Sequence, residues 1–150
     1  MVTNLKNKLI FENMYKAFCD ETKTAYNPNF VNGVLWNNSG NLELMFEPNK
    51  YFLVVQYLCQ FNYIVALYVA PEYRRQKIAT NLLRQFDYPQ FLKVNPQNKV
   101  ANEFFYWQEY KPLPIDDPAQ WYYAGTPAEA RIADFIINAM ITIQKDNLSA

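Results

Sequence analysis

Residues 66–86, ALYVAPEYRRQKIATNLLRQF, combine a change of hydrophobic period with a cluster of positive charge. An apolar, β-branched run ends at Pro71, a basic cluster follows (Arg74, Arg75 and Lys77), and helical spacing then begins. A strand that opens directly into a helix presents unpaired backbone N–H groups and the positive end of a helix dipole. Cations are unfavourable there unless an anion is present, so the pattern predicts a phosphate or pyrophosphate site. The alternative is an ordinary solvated helix start.

Histidine is absent from the chain, and its only cysteines are Cys19 and Cys59. This composition excludes Ser-His-Asp and Cys-His catalysis within one chain, and it excludes metal sites built on histidine or on cysteine clusters. Candidate general bases are therefore carboxylates. Glu43 and Glu47, on a predicted central strand, could deprotonate an ammonium directly or through water. The remaining candidates are Glu72, Glu103 and Glu109.

The composition is that of one packed domain over residues 1–150, because 51% of the residues are hydrophobic. The formal net charge is zero, so no global field attracts nucleic acid or an anionic membrane, and we expect neither as a partner. No apolar run reaches the length of a membrane span. No signal peptide opens the sequence, which predicts a cytoplasmic protein with reduced cysteines.

Hydrophobic spacing in the first half predicts one helix followed by four β-strands. The predicted elements are a helix over 4–23 and strands over 30–36, 42–47, 51–58 and 63–69. The turn sequence at 37–41, Asn-Asn-Ser-Gly-Asn, joins the first two strands as a hairpin. The four strands together predict an antiparallel meander.

The second half alternates helices and short strands. The predicted elements are helices over 72–86, 98–110 and from Pro127 to about 144, with strands at 91–94 and, as a late edge strand, 121–123. Thr126 and Glu129 form a capping box at the start of the last helix. The apolar residues of that helix occupy more than one stripe, which predicts a contact with the sheet or a homodimer through this C-terminal helix.

The order strand, basic turn, helix, strand, Asn-led helix over residues 63–110 resembles the GCN5-related N-acetyltransferase (GNAT) family. In that family the turn reads roughly Arg/Gln-x-x-Gly-x-Gly/Ala, and its amides hold the pyrophosphate of coenzyme A. Arg74 and Ala79 match the first and last positions, whereas Lys77 stands where the family has its first glycine. Lys77 could crowd the turn or pair with a phosphate. The family's second pattern, Asn-x-x-Ala-x-x-Phe-Tyr, is matched from Asn98 to Phe104, with Phe105 at the tyrosine position and Tyr106 one position later.

The resemblance implies an α+β domain with three α/β/α layers around a mostly antiparallel, twisted central sheet. It also implies that Leu67 and Val69 offer backbone groups to the pantetheine arm of acetyl-CoA. Asn98 would bond the pantetheine amide region, although helix capping would equally explain an asparagine there. The residues implied to hold the pyrophosphate are Arg74, Arg75, Gln76, Lys77, Ile78, Ala79 and Thr80.

The family's usual tyrosine acid, which protonates the departing thiolate, would fall at Phe105, which cannot act as an acid. Tyr106 is the candidate in its place, one residue later on the predicted helix. The resemblance implies an acetyl-CoA-dependent N-acetyltransferase that acts on a primary amine of a small molecule or protein. The alternative is a catalytically inactive protein of the same fold that serves as a binding or structural component, for instance in a phage.

Overall fold

The computed structural model describes residues 4–36, 41–86 and 89–149, with the side chains of the last helix described to residue 145. The chain divides into two compact units, Met1–Asp87 and Tyr88–Ala150. Each unit combines helices with antiparallel strands. The expectation of a single domain over residues 1–150 stays a prediction.

The N-terminal unit contains three strands in the order β1-β2-β3, each antiparallel to its neighbour. The elements of this unit are α1 (Leu5–Thr22), α2 (Pro28–Leu35), β1 (Leu42–Glu47), β2 (Tyr51–Leu58), β3 (Phe61–Val69), a short 3-10 turn (Pro71–Tyr73) and α3 (Ile78–Leu83). Three of the four strands of the predicted meander, those over 42–47, 51–58 and 63–69, are therefore present as an antiparallel set, and the first helix is present as well.

The core of the N-terminal unit lies between the first two helices and one face of this meander. Phe52 and Val54 alternate along β2, and Ala66 and Tyr68 alternate along β3, so all four side chains point to one face. Phe11 of α1 is fully buried and packs edge-on against Phe52, with ring centroids 5.2 Å apart. Burial of these aromatic and β-branched side chains stabilises the unit and fixes the register of its strands.

The predicted strand over 30–36 is wrong, because this segment is helix α2. The Asn27 side chain accepts a hydrogen bond from the Asn29 amide at 2.9 Å, and Pro28 occupies the first helical turn. Both features start helices. The buried residues Val31, Val34 and Leu35 recur at helical spacing. The predicted hairpin turn at 37–41 lies largely outside the described residues.

The C-terminal unit has three antiparallel strands in the order β4-β6-β5. The elements are β4 (Gln90–Val94), α4 (Lys99–Trp107), β5 (Lys111–Leu113), β6 (Gln120–Ala124) and α5 (Pro127–Ser149). The prediction of an edge strand at 121–123 is wrong, since β6 pairs on both sides and all three residues are buried. The outer strand is β5, where Pro112 is tolerated because an outer strand can lack a donor on one side.

Two predicted helix lengths also need correction. The helix expected over 72–86 is shorter, because a 3-10 turn at Pro71–Tyr73 precedes α3. The last helix is longer than expected and extends to Ser149. None of the helices in the described ranges is both long and apolar enough to cross a membrane.

The capping box predicted at the start of α5 is present. The Thr126 hydroxyl accepts from the Glu129 amide at 3.2 Å, and the Glu129 carboxylate accepts from the Thr126 amide at 2.7 Å. Gly125, just before the box, has φ of 157°. A Cβ at this position would lie 3.0 Å from both the Glu129 carboxylate and the Pro89 side chain. Glycine is therefore required at position 125, because the backbone conformation disfavours a residue with a Cβ and the neighbouring side chains leave little room for one.

Replacing Gly125 with alanine should lower the free energy of unfolding by about 1–3 kcal/mol, since the backbone is strained and the new methyl group meets two neighbours. Gly33 is the matched control, because a Cβ there meets nothing within 4 Å and the residue lies inside α2. Gly33→Ala should raise the free energy of unfolding by about 0.5–1 kcal/mol. Urea denaturation measures both changes, and equal stabilities for the two variants would contradict this account.

Candidate functional site

The turn between β3 and α3 contains two residues with left-handed backbone. Arg75 has φ of 66° and Lys77 has φ of 61°. This conformation costs a residue with a Cβ about 1–2 kcal/mol, which is why glycine is the ordinary choice. Lys77 thus adopts the backbone conformation for which glycine is suited, at the position where the resemblance implies a glycine. Lys77 also adds a cation to this turn.

The backbone amides of residues 75–80 find no hydrogen-bond acceptor within the described parts of the chain. The preceding amide, that of Arg74, is bonded to the Pro71 carbonyl at 3.3 Å, and the following one, that of Asn81, to the Lys77 carbonyl at 3.0 Å. A run of unpaired amides around left-handed residues forms a concave, positively polarised surface of the kind that holds anions. The turn therefore has the donors that a pyrophosphate requires.

Arg74, the first residue of the turn motif, directs its side chain to other parts of the N-terminal unit. Its Nε donates to the Val69 carbonyl at 2.8 Å, and one terminal nitrogen lies 2.6 and 2.7 Å from the two Glu21 carboxylate oxygens. The guanidinium also lies over the Tyr68 ring, 5.8 Å from its centroid. The Arg74 guanidinium therefore links the end of β3 to α1 through hydrogen bonds.

The remaining cations of the turn are exposed. Within the described residues, neither Arg75 nor Lys77 is paired with a carboxylate. Gln76 is exposed as well, whereas Ile78 and Ala79 are partly buried and Thr80 is buried. The positive charge of the turn that has no carboxylate partner among the described residues therefore resides on Arg75 and Lys77, and the residues that follow anchor α3.

The strand residues implied to contact pantetheine lie in the part of the β2–β3 ladder that precedes a register shift between Val54 and Val55. Leu67 is opposite Leu53 of β2, and Val69 is opposite Tyr51. The Val69 carbonyl already accepts a hydrogen bond from Arg74. A role for the backbone of Leu67 and Val69 in binding pantetheine stays a prediction.

Asn98 in the C-terminal unit is the N-cap of α4. Its side-chain oxygen accepts from the Ala101 amide at 3.2 Å. The capping role is therefore observed, and it uses only the oxygen of the side-chain amide. The Asn98 Nδ2 donates to no acceptor within the described parts of the chain. That nitrogen is the group that a ligand carbonyl could engage.

The two candidate positions for the acid have different environments. Phe105 is buried, with ring centroids 5.3 Å from Tyr110 and 6.2 Å from Tyr122. Tyr106 is 66% exposed and lies edge-on to Trp107. A hydroxyl at position 105 would have to be accommodated among these rings, whereas the Tyr106 hydroxyl is accessible to solvent. Whether Tyr106 acts as an acid stays a prediction.

Two buried tyrosines of this unit were not singled out from the sequence. Tyr110 donates its hydroxyl to the Gln90 side chain, and burial raises the pKa of Tyr110 above its ordinary value. Tyr122 donates to the Asn102 side chain at 2.7 Å, and burial likewise raises the pKa of Tyr122. Both hydroxyls therefore remain protonated near neutral pH. Nothing in the spacing of these residues along the chain identified the pairs.

The description of Glu43 and Glu47 as residues of a central strand is wrong, because they lie on β1, the outer strand of the meander. Both are exposed. Glu43 accepts a hydrogen bond from Tyr57, and Glu47 is 3.7 Å from the Lys50 ammonium. The strand register places Glu47 at the end of the meander where β3 leaves for the turn, and it places Glu43 nearer the middle. A role for either as the base stays a prediction.

Clusters of metal-ligating side chains are absent from the described ranges. No group of three or more histidine, cysteine, aspartate or glutamate residues capable of holding a metal ion occurs among residues 4–36, 41–86 and 89–149.

The sequence matches no protein-family model, and no curated protein matches it significantly. Solved structures do resemble it. An acetyltransferase from Thermus thermophilus has a TM-score of 0.65 at 13% identity and covers 81% of this chain and 92% of its own. An acetyltransferase of the GNAT family from Staphylococcus aureus has a TM-score of 0.59 at 14% identity, with coverages of 82% and 95%.

A third similar structure was solved with a ligand. It is the PaiA N-acetyltransferase from Thermoplasma acidophilum in complex with coenzyme A. Its TM-score is 0.57 at 15% identity, and the match covers 84% of this chain and 97% of that one. At these identities the likeness is one of fold. The α+β fold of GNAT type predicted from the sequence is therefore confirmed.

Proposed function

Because the chain has the fold of the GNAT acetyltransferases, we propose that it is an acetyl-CoA-dependent N-acetyltransferase acting on a primary amine of a small molecule or protein. The observation that carries this proposal is the run of unpaired amides at residues 75–80, which includes the exposed cations Arg75 and Lys77. The proposal is also supported by the PaiA N-acetyltransferase, a protein of similar fold whose structure was solved in complex with coenzyme A.

The turn supplies two kinds of interaction to the pyrophosphate. Backbone amides donate hydrogen bonds, which are about twice as strong toward a charged oxygen as toward a neutral one. The side chains of Arg75 and Lys77 add charge that neutralises the two phosphates. The Arg74 side chain contributes indirectly, since it holds the end of β3 from which the turn starts.

Acetyl-CoA supplies the activated acetyl group as a thioester, and the protein orients the acceptor amine against it and excludes water. A backbone N–H near Leu67–Val69 would polarise the thioester carbonyl. Glu47 or Glu43 would accept the proton that the ammonium must lose before attack, directly or through water. Tyr106 would donate a proton to the thiolate as the carbon–sulfur bond breaks. The nitrogen loses its second proton as the amide forms, and transfer of that proton to the Tyr106 phenolate, directly or through water, restores the tyrosine.

The alternative, a binding or structural protein that has lost catalysis, is favoured by one observation. The position of the family's tyrosine acid is occupied by Phe105, which is buried among aromatic rings. Both hypotheses retain the anion-binding turn. Cofactor binding and turnover therefore have to be measured separately.

Coenzyme A and acetyl-CoA should bind with heat detectable by isothermal calorimetry. The double variant Arg75→Ala, Lys77→Ala should bind about tenfold or more weakly, and its affinity should depend less on salt, because two phosphate partners are lost. Arg84→Ala is the matched control, since Arg84 is an exposed cation at the opposite end of α3. No heat and no thermal shift at millimolar ligand would eliminate the cofactor proposal.

The same measurement distinguishes the two roles considered for Lys77. Lys77→Ala removes the ammonium and keeps the Cβ in a left-handed backbone, whereas Lys77→Gly also relieves that backbone. If Lys77 pairs with a phosphate, both variants should bind coenzyme A more weakly. A gain of affinity in both would show that the side chain crowds the turn.

Turnover, where detectable with an amine acceptor, should fall more than about tenfold in Tyr106→Phe while the affinity for coenzyme A stays nearly unchanged. Tyr26→Phe, which removes another partly exposed hydroxyl, is the control and should keep the parent rate. An unchanged rate in Tyr106→Phe would leave Tyr106 without a catalytic role, and the thiolate would then take its proton from another tyrosine or from water.

We further propose that α5 mediates a homodimer. Ala133, Ile137 and Ile141 of this helix are buried within the protein. A second set of apolar residues remains exposed: Ile132 at 51%, Phe135 at 76% and Ile143 at 59%, with exposed Ala139 between them. These residues recur every three or four positions and carry no charge, so the same stripe of a second copy can pack against them without like-charge repulsion.

Phe135→Glu combined with Ile132→Glu should convert a dimer into a folded monomer in light scattering, because both changes affect only the exposed stripe. Ile137→Asn is the contrasting variant. Since Ile137 is fully buried, this change should lower the free energy of unfolding by about 3 kcal/mol or more. A parent protein that is monomeric at all accessible concentrations would refute the dimer.

A further inference from the structure

Several hydrogen bonds hold the segment from Asn95 to Asn98, which joins β4 to α4, and two of them come from one side chain outside it. Within the segment, the Asn98 amide donates to the Asn95 carbonyl at 2.9 Å and the Gln97 amide donates to the Asn95 side chain at 2.9 Å. The Asn102 Nδ2 donates to the Asn95 carbonyl at 3.0 Å and to the Asn98 carbonyl at 2.8 Å. The segment therefore has both of its end carbonyls bound to one amide group.

The oxygen of the Asn102 side-chain amide is hydrogen-bonded as well. The Asn102 Oδ1 accepts from the Tyr122 hydroxyl at 2.7 Å. Tyr122 is buried on β6, with its ring centroid 6.2 Å from that of Phe105. Backbone carbonyls only accept, so they require the nitrogen of the Asn102 amide to face them, and the Tyr122 hydroxyl then holds the Asn102 oxygen in place from the other side. The chain of contacts runs from a central strand, through Asn102, to the segment that carries Asn98.

Asn102 is not needed for the helix itself. The Asn102 backbone amide already bonds to the Asn98 carbonyl at 3.1 Å, and any residue except proline would make that bond. Asparagine is less favourable than alanine inside a helix by roughly half a kcal/mol or more. The side chain is thus locally unfavourable for α4, and its hydrogen bonds serve the preceding segment.

We propose that Asn102, oriented by Tyr122, is a positioning residue that fixes Asn98 so that the Asn98 Nδ2 meets an amide carbonyl of the pantetheine arm. The Asn98 Oδ1 is occupied by the Ala101 amide, which leaves the nitrogen as the donor available to a ligand. This inference rests on the proposed function, since it needs a ligand with a pantetheine arm.

Calorimetry with two ligands tests the inference. One is coenzyme A, and the other is adenosine 3′-phosphate 5′-diphosphate, which keeps the pyrophosphate and lacks the pantetheine arm. Asn102→Ala should lower the affinity for coenzyme A by about three- to tenfold and leave the affinity for the truncated nucleotide unchanged. Asn102→Asp should act like the alanine variant, because a carboxylate cannot donate to the two carbonyls. Tyr122→Phe should have a smaller effect of the same kind.

Asn138→Ala is the matched control. The Asn138 Nδ2 donates to the Asp134 carbonyl at 2.9 Å, the same one-turn contact on α5 without a link to the loop. This variant should bind both ligands like the parent, and urea denaturation should report any general loss of stability in each variant. Equal losses for the two ligands, or unchanged coenzyme A binding in Asn102→Ala, would overturn the inference. A parent that binds neither ligand would overturn the proposed function itself, and the inference with it.

Discussion

The left-handed backbone at Arg75 and Lys77 is the constraint on which the candidate site depends. This conformation lets the chain turn directly into the first, unpaired amides of α3, and the chain achieves it with two residues that carry a Cβ. The strain amounts to about 1–2 kcal/mol for each residue, so the surrounding structure has to hold the turn in place. The contacts of Arg74 with the Val69 carbonyl and with Glu21 provide part of that support.

Each unit uses a polar side chain to fix a segment of irregular backbone. Arg74 does so at the end of β3, and Asn102 does so at the start of α4. In both cases the polar side chain is anchored on a helix or strand that has a buried apolar face. The side chain then donates a hydrogen bond to a backbone carbonyl and so holds the irregular segment in place. Loops held in this way can present backbone groups to a ligand with little loss of entropy on binding.

Patterns among residues that are close in the sequence were sufficient to predict much of the fold. The meander over 42–69, the first helix and the capping box at Thr126 follow from alternation, helical spacing and capping chemistry, all of which act over a few residues. The apolar residues of the segment at 30–36 fit a strand as well as a helix. The helix-starting residues Asn27 and Pro28 favour the helix. The place of β6 between its neighbours depends on pairing between distant segments, which spacing along the chain does not encode.

The candidate site could be predicted only in part, for the same physical reason. The basic turn is local in sequence, so Arg75 and Lys77 could be identified from the chain alone. The partner of Arg74 is a glutamate 53 residues away, and Tyr122 reaches Asn102 across 20 residues. Such contacts arise from packing of whole elements. The sequence offers no signal for them without a structure.

The outer position of β1 has a further consequence for the behaviour of the protein in solution. An outer strand exposes backbone donors and acceptors that can pair with a strand of another molecule, and this is a common route to aggregation. A net charge of zero provides no overall repulsion between copies. The exposed carboxylates of Glu43 and Glu47 place negative charge along that strand, where it repels an identical strand. These glutamates therefore disfavour pairing of β1 with the same strand of another copy, whatever their part in chemistry.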